Sequence, residues 1–569
     1  MPSQFAGETL QRRFEERLAK DPGGRALAWY EPGSPVEWLS FEQFYGQAKT
    51  IASNLVDRGL RAGDTCVIVL PSGELAAKTL MAVLVAGARP LLMAPPALLG
   101  MNSDLPRILR STVARSEAKM VMLPASLRDD RDVLEAADDS LIRVYCDDDL
   151  EGDGSLPEAG ELTSNDIAAL QLTSGTTGLP KICVWTQRAV LAALDGMAAA
   201  MGLTPNDVCF NWTPLYHDMG LVNNFLTCMS TGSPLVMMDP HAFVKRPIDW
   251  MRGLQETGAT VTWSPNFGFA LLAQRTSARH LEGLDLSHVR GFWNAAERIH
   301  ARTYAHFLEV FSEAGVRAET LKTNFGCAEN IGGATFTPEG EAYVVEHVDP
   351  MQFRAEGVAV PVGPDHPDAL PIVGAGKGHP WLEVVILDDH DSPVSDGIVG
   401  AVALETPSRM EGYLNDPEAT SEAFAGNLLK TGDLGYVRDG ELFWTGRVQE
   451  RITVRGKKID PSDLEPILFD IPGVRQGRFA AFGVDDAEEG TQAVVIVTEL
   501  VEDREVDPDE VAALVRKEIT TRIGVGVADV VIVTPGTLTK TSSGKRRHRH
   551  FREKYESGAL QDFMLTRAT

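Results

Sequence analysis

The residues best suited to do chemistry stand in one run, Gln171-Leu172-Thr173-Ser174-Gly175-Thr176-Thr177-Gly178-Leu179-Pro180-Lys181. Small hydroxylated residues and glycines at this density let a backbone approach an anion closely, with amide and hydroxyl donors aimed at phosphate oxygens. A kinase-type phosphate loop fails on spacing, because G-x-x-x-x-G-K-[ST] demands a Gly before its Lys and Pro180 stands there instead. A flexible Ser/Gly linker also fits poorly, since the run holds no repeat and lies between a strand-like Ala168 to Leu172 and an expected helix. Phosphate binding is therefore the expectation for this run.

Further motifs come in order: Pro214-Leu215-Tyr216-His217-Asp218-Met219-Gly220, Asn294-Ala295-Ala296-Glu297, Asn324-Phe325-Gly326-Cys327-Ala328-Glu329, Thr431-Gly432-Asp433, Gly446-Arg447 and Thr541-Ser542-Ser543-Gly544-Lys545. Together with the first run they resemble, over nearly the whole chain, the ANL adenylating superfamily of acyl-CoA synthetases, nonribosomal-peptide adenylation domains and luciferases. Among its branches, PLYHDMGL, PHAFVKRPIDWM and SPNFGFAL look most like the fatty acyl-AMP ligases, which hand acyl adenylates to acyl carrier proteins.

The resemblance implies ATP and Mg²⁺ as cofactors and a set of roles. Lys545 is the adenylation lysine, and Glu329 and Thr176 hold the metal. Thr173, Ser174, Gly175, Thr176, Thr177, Gly178 and Lys181 take the phosphates. Asn294, Ala295, Ala296 and Glu297 border the adenine together with Asn324, Phe325 and Gly326, and Phe325 stacks on it. Asp433 takes the ribose hydroxyls and Arg447 the ribose or a phosphate. His217, counted with Lys545 and Glu329 as catalytic, lines the acyl and α-phosphate site, Pro265, Asn266, Phe267 and Gly268 line the acyl site, and Gln449 is the hinge. Simpler roles exist for several of these: Glu329 as a helix-start carboxylate, Asp433 as a turn residue, Arg447 as half of a salt bridge, Phe325 as core and His217 as a structural histidine. The sequence departs from the family pattern at Ile182 and Cys183, at Ala295 for Gly, at Phe325 for Tyr and at Gln449 for Asp or Lys. None of these removes a charge the chemistry needs, and only Gln449 bears on domain rotation.

The residue types suit the reaction. A carboxylate is already a nucleophile at neutral pH, so its attack on the α-phosphorus needs no general base, and no G-x-S-x-G elbow occurs. What the reaction needs is stabilisation of charge on the phosphoryl group and on departing pyrophosphate. Thr173 to Lys181 supply donors, Glu329 a metal ligand and Lys545 a cation.

An α/β fold must position these groups. At 569 residues the chain is too long for one module. One-faced helical periodicity at Phe41, Phe44, Ala48, Ile51 and Leu55 gives way to apolar strand-like runs at Cys66 to Leu70, Lys119 to Leu123, Leu141 to Cys146 and Thr260 to Ser264. Turn-rich runs between 370 and 445 predict an antiparallel, barrel-like piece, which the glycine-rich turn Val373 to Gly378 enters. Beyond Arg447 the pattern restarts with strands Phe479 to Val484, Ala493 to Leu500 and Val530 to Val533 and a helix from Pro508 to Ile523. The expected organisation is a large N-terminal domain, 1–446, of two α/β subdomains and a barrel-like piece, then a small mobile α+β domain, 447–569, carrying Lys545.

A formal charge of −27 repels polyanions and excludes nucleic acid as an expected partner. The six scattered cysteines fit a reducing compartment and no zinc site. The N-terminus lacks a secretory pattern, and prolines and Arg89 interrupt the most apolar segment, Met81 to Met101, so a cytoplasmic protein without integral membrane association is expected. The first half-reaction is expected to make an acyl adenylate from a carboxylic, fatty, acid. Forty-four residues separate Glu329 from Gly374, similar to the inserted segment of the fatty acyl-AMP ligases, which favours a carrier protein over CoA as acceptor. The basic run from Lys545 to Lys554 is the local candidate for carrier docking. Retention of Lys545, Glu329 and Asp433 together speaks against a non-catalytic adenylate-binding scaffold.

Overall fold

A computed structural model describes residues 8–95, 105–130, 140–156, 162–173, 179–455, 457–486, 491–501, 506–540 and 545–568. Short buried runs, many of them dense in Val, Ile, Leu and Met, form the strands of two largely parallel sheets, as strands buried on both faces tend to. The first has seven strands in the order Gly412–Tyr413, Ile182–Thr186, Ile167–Leu172, Arg89–Leu92, Thr65–Ile68, Met120–Leu123 and Ile142–Tyr145. The second has nine, and six neighbours in it run parallel: Leu321–Cys327, Gly291–Ala295, Val261–Pro265, Cys209–Asn211, Leu235–Met238 and Arg25–Tyr30.

Side chains alternate across each strand, so each sheet feeds two apolar layers. Ile68 and Met122 of one sheet and Trp263 and Trp293 of the other meet in a single buried cluster with the faces of helices Phe41–Asp57, Glu74–Val85 and Gln187–Ala200 and the π-helical Met219–Leu226. Those helices are therefore the filling between the sheets. Val67, Leu91 and Val121 face outward into a second cluster, and Phe210 and Phe292 into a third that also holds Phe269 of helix Asn266–Arg275. Helix Phe41–Asp57 starts where Ser40 and Gln43 cap each other reciprocally, the arrangement that satisfies otherwise orphaned N–H groups.

One expectation is corrected here. The run expected to bind phosphate leads into a strand, not a helix: Ile182–Thr186 pairs antiparallel with Ile167–Leu172. The β-branched and aromatic ICVWT sequence belongs to that strand, and the helix begins only at Gln187.

The turn-rich region folds as expected into an antiparallel sheet of Glu383–Leu387, Gly400–Glu405, Leu428–Arg438, Phe424–Ala425 and Glu441–Arg447. Past it, strands Val474–Asp486, Thr491–Leu500, Val527–Val533 and Met564–Ala568 form a four-stranded sheet, with helix Pro508–Ile523 linking its parallel pair. The apolar clusters on this sheet draw only on residues after Arg451. Among the described residues no helix is long and apolar enough to cross a membrane.

The glycine-rich stretch 374–378, expected as a turn, is instead paired backbone: Gly374 bridges Phe443, and Lys377–Gly378 pairs antiparallel with Gly332–Phe336 at the edge of the nine-stranded sheet. Gly376 has φ +91°, and a Cβ there would lie 2.1 Å from the backbone carbon of Phe336. Gly376→Ala is expected to destabilise by about 3 kcal/mol or more, because neither backbone can give way. Gly426 has φ +59° with nothing within 4 Å of an added Cβ, so Gly426→Ala should cost only about 1 kcal/mol of conformational strain. Thermal midpoints of the two variants lying within about 2 °C of each other would contradict this reading.

Candidate active site

Open parallel sheets leave a crevice outside the carboxyl ends of their strands. In the nine-stranded sheet, residues at or just past two such ends, Ala296 and Glu297 after Gly291–Ala295 and Asn324, Phe325 and Gly326 in Leu321–Cys327, line a cavity of about 750 Å³. Asn266 and Phe267 extend this wall. Asp433, Trp444 and Arg447 stand on another side, and Lys540, Lys545 and Arg546 reach in from the C-terminal segment.

Local structure explains these placements. Ala296 adopts φ +72°, the left-handed region, and the chain turns there so that Glu297 accepts the Phe267 N–H at 2.6 Å. Burial pushes the Glu297 carboxyl up, opposed by Arg546 and Lys540. Gly326 can only be glycine, since a Cβ would sit 2.2 Å from the Gly332 carbonyl oxygen in the adjoining strand. Phe325 reaches the cavity from a mainly buried position among Ala334, Val402 and Leu404.

Asp433 and Arg447 are cross-strand partners in the Leu428–Arg438 and Glu441–Arg447 hairpin, so the register alone places them face to face. Asp433 Oδ1 accepts from Trp444 Nε1 at 2.9 Å and lies 3.3 Å from Arg447 Nε. Asp433 in turn holds the Arg447 guanidinium above its ordinary value. The salt bridge that was the simpler role for Arg447 thus exists, and it aims both groups into the cavity.

The two ends of the run expected to bind phosphate are tied together. Thr173 N–H donates to the Lys181 carbonyl at 2.9 Å, and Lys181 N–H returns to Thr173 Oγ1 at 3.2 Å. Ser174, Gly175, Thr176, Thr177 and Gly178 lie outside the described residues. Gln171 Nε2 donates to the Tyr216 carbonyl at 3.1 Å and Trp185 Nε1 to the Ala328 carbonyl at 2.8 Å, tying the hairpin to the turns that carry His217 and Glu329. His217 Nδ1 lies 2.7 Å from Asp218 Oδ1. Burial by itself would raise the Asp218 carboxyl, but His217 and Lys545 outweigh it and hold it down to about 2. Among the described residues no three His, Cys, Asp or Glu side chains gather to hold a metal. A single carboxylate such as Glu329 does fit magnesium that arrives with substrate phosphates, because that ion takes one or two protein carboxylates and keeps phosphate and water ligands.

Lys545 is carried to the cavity by a seam of ion pairs. Arg298 Nη1 lies 2.8 Å from Asp463 Oδ1, and His300 Nε2 lies 3.1 Å from Glu465 Oε2, across to helix Pro461–Asp470. Glu465 also accepts from Arg546, the residue after Lys545. Burial and the Arg447 charge push the Lys545 ammonium below its ordinary value, while Asp218, Asp433 and Glu297 pull it back. Burial takes Lys540 down to about 8, its ammonium 5.8 Å from the ring centroid of Phe267.

The cavity thus gathers Asn266, Phe267, Ala296, Glu297, Asn324, Phe325, Gly326, Asp433, Arg447 and Lys545 from the expected set. Thr173, Lys181, His217 and Glu329 lie beyond its lining. Asn294, Ala295, Pro265 and Gly268 are packed behind it: Asn294 is fully buried and donates to Asn266 Oδ1 at 3.3 Å, and a Cβ on Gly268 would meet Ser264 Oγ at 2.1 Å. Gln449 is exposed and accepts from Arg549. Arg552 pairs with Glu556 at 2.9 Å, so these two arginines of the basic run both have partners within the chain. The sequence reading missed Tyr413, Trp444, Lys540 and Glu465. Only Lys540 had a local signal, its place in the same Thr-Lys-Thr-Ser-Ser-Gly-Lys run as Lys545.

Comparison with known proteins places this geometry. The family described as AMP-binding enzyme matches residues 14–414. The chain is 28% identical over 576 residues to the medium-chain-fatty-acid–[acyl-carrier-protein] ligase JamA of Moorena producens, covering 98% of this chain and 96% of that protein. It is 28% identical over 578 residues to the long-chain-fatty-acid–AMP ligase FadD26 of Mycobacterium tuberculosis, covering 96% and 97%. A solved structure from a study of fatty acyl-adenylate ligases from E. coli and L. pneumophila superposes with a TM-score of 0.89 at 26% identity, covering 99% of this chain and 100% of that one. Matched across more than half its length and along its fold, the chain belongs to the AMP-binding enzyme family and is an adenylate-forming ligase.

Proposed function

We propose that the protein activates a fatty acid with ATP and passes the acyl group to the phosphopantetheine thiol of an acyl carrier protein. The observation that carries the reading is the convergence of Asp433, Arg447 and Glu297 with Lys545 in one cavity. In the first step a carboxylate oxygen bonds to the α-phosphorus and the bond to pyrophosphate breaks. In the second the thiol sulfur bonds to the acyl carbon, its proton is lost and AMP departs.

Position gives each residue its part. Asp433, fixed by Trp444 and Arg447, has the acceptor geometry for ribose hydroxyls. Ala296, Glu297 and the edge of Phe325 border the space for the base. Lys545 supplies positive charge where negative charge grows on the α-phosphoryl oxygens, in a site where burial strengthens the interaction. Thr173, Lys181 and the loop between them take the outgoing phosphates, and His217 stands between the acyl and phosphate ends. Glu329 and Thr176 would hold magnesium, which when bound with ATP neutralises charge on the leaving pyrophosphate.

Residues 1–446 form the large adenylating domain and 447–569 the small one, with Gln449 at the hinge. The separate apolar clusters past Arg451 support this division. The stretch 330–373 supports the carrier reading. It holds the paired strands Val345–Val348 and Leu370–Val373, and its helix Pro350–Glu356 lies against strand Lys457–Ile459 of the small domain, where it can restrain rotation toward a CoA-using arrangement. JamA, by its name an acyl-carrier-protein ligase, supports the same acceptor.

Three outcomes are expected. Lys545→Ala should lower acid-dependent ATP–pyrophosphate exchange by about 100-fold or more while leaving transfer from preformed acyl-AMP largely intact. Equal loss of both half-reactions would count against its role. Because Lys545 titrates below its ordinary 10.5, kcat/KM for ATP, which reports the free enzyme, should fall along an alkaline limb below that pH as the ammonium is lost. Lys545→Arg should move that limb upward; a limb that stays in place belongs to another group. With ATP and a panel of fatty acids, the intact protein should load holo-carrier protein and make little acyl-CoA, and deletion of residues 350–356 should raise CoA transfer. Efficient acyl-CoA formation by the intact protein would assign CoA as the acceptor.

A further inference from the structure

Tyr413 stands where three parts of the active site meet. Its strand, Gly412–Tyr413, adds antiparallel to Ile182–Thr186 with Tyr413 opposite Cys183, and so extends the hairpin that ends in the phosphate loop. Its hydroxyl donates to Glu329 Oε1 at 2.7 Å, and Lys181 Nζ lies 4.6 Å from its ring centroid. The same segment secures the Glu329 main chain, since the Met410 N–H donates to the Glu329 carbonyl at 2.8 Å. Thr420 Oγ1 accepts the Tyr413 N–H at 2.9 Å and fixes the tyrosine in turn.

A carboxylate offers two oxygens, and a phenol donor on one of them sets the rotation of the whole group. With Oε1 engaged by Tyr413, Oε2 remains for a cation. The ring face meanwhile holds the Lys181 ammonium beside the neck of the loop by a cation–π contact. We infer that Tyr413 is a positioning residue: its hydroxyl presets Glu329 for the magnesium of the incoming nucleotide, and its ring stations Lys181 for the phosphates. This rests on the assignment of Glu329 to magnesium proposed above. Outer partners that orient a ligating carboxylate are typically worth about 10- to 100-fold in metal affinity.

The test is calorimetric binding of ATP to the full-length protein with and without Mg²⁺. Tyr413→Phe keeps the ring for Lys181 and removes one oxygen without opening a cavity, and its folding is checked by the thermal midpoint. It is expected to reduce the Mg²⁺-dependent tightening of ATP about tenfold, with metal-free ATP affinity unchanged within about twofold. The Mg²⁺ concentration for half-maximal exchange should rise more than kcat falls. Tyr413→His, which keeps a ring N–H donor, should recover part of the tightening. In a Glu329→Ala background Tyr413→Phe should add nothing. If Glu329→Ala leaves the tightening intact, the magnesium assignment fails and the inference falls with it. If Glu329→Ala abolishes the tightening but Tyr413→Phe leaves it unchanged, weakens metal-free binding equally, or acts undiminished without Glu329, the assignment stands and Tyr413 has no positioning role.

Discussion

The arrangement of the active site depends on the buried ionic seam between the segment after Glu297 and helix Pro461–Asp470. Arg298 meets Asp463 at 2.8 Å and His300 meets Glu465 at 3.1 Å. Burying such charges is costly, and breaking one pair strands its partner at about 3–5 kcal/mol, so the seam contributes less as an adhesive than as a register. Few other placements of this helix could satisfy all four groups. Glu465 then draws in Arg546, and Lys545 precedes Arg546 in the chain. A cation from one end of the molecule is thereby delivered to a cavity built by strand ends 220 to 250 residues earlier.

Charge in the cavity runs against charge in the molecule. The chain carries a net −27, yet Arg447, Lys540, Lys545 and Arg546 converge on a space shared with Asp433 and Glu297. Burial lowers both lysines, Lys540 to about 8, although carboxylates act on each, Glu297 and Glu465 on Lys540 and Asp218, Asp433 and Glu297 on Lys545. Further negative charge brought by a bound triphosphate favours the charged forms, which makes nucleotide binding and lysine protonation mutually reinforcing. The acidic exterior limits competition from other polyanions, while the local positive field draws a small anion inward.

The hairpins supply precision where the ion pairs supply orientation. Asp433 and Arg447 face each other by strand register, Thr173 and Lys181 pair at the neck of their hairpin, and Gly326 permits the hairpin beside the cavity to close. Each of these contacts is local to a two-stranded unit. Their relative placement, however, comes from the two sheets sharing one helical filling, in which Trp263 and Trp293 pack in the same cluster as Ile68 and Met122.

The sequence by itself determined the strands and the charged residues. Apolar runs such as Cys66 to Leu70 and Lys119 to Leu123 were legible as strands, and the Thr-Ser-Gly-Thr-Thr-Gly run as a candidate phosphate loop, because composition is a local property. The segment just after that loop was misjudged as helix, since ICVWT is short and apolar and its strand character depends on pairing with Ile167–Leu172. Tertiary structure alone decided that Asn294, Ala295, Pro265 and Gly268 pack behind the cavity wall while Lys540 and Trp444 line it. It alone joined Tyr413 to Glu329 and Lys181, and Glu465 to His300 and Arg546. Those contacts span 81 to 232 positions of chain, and no local propensity or spacing encodes them. They arise only when sheet order and the packing of buried charge bring distant segments to the same place.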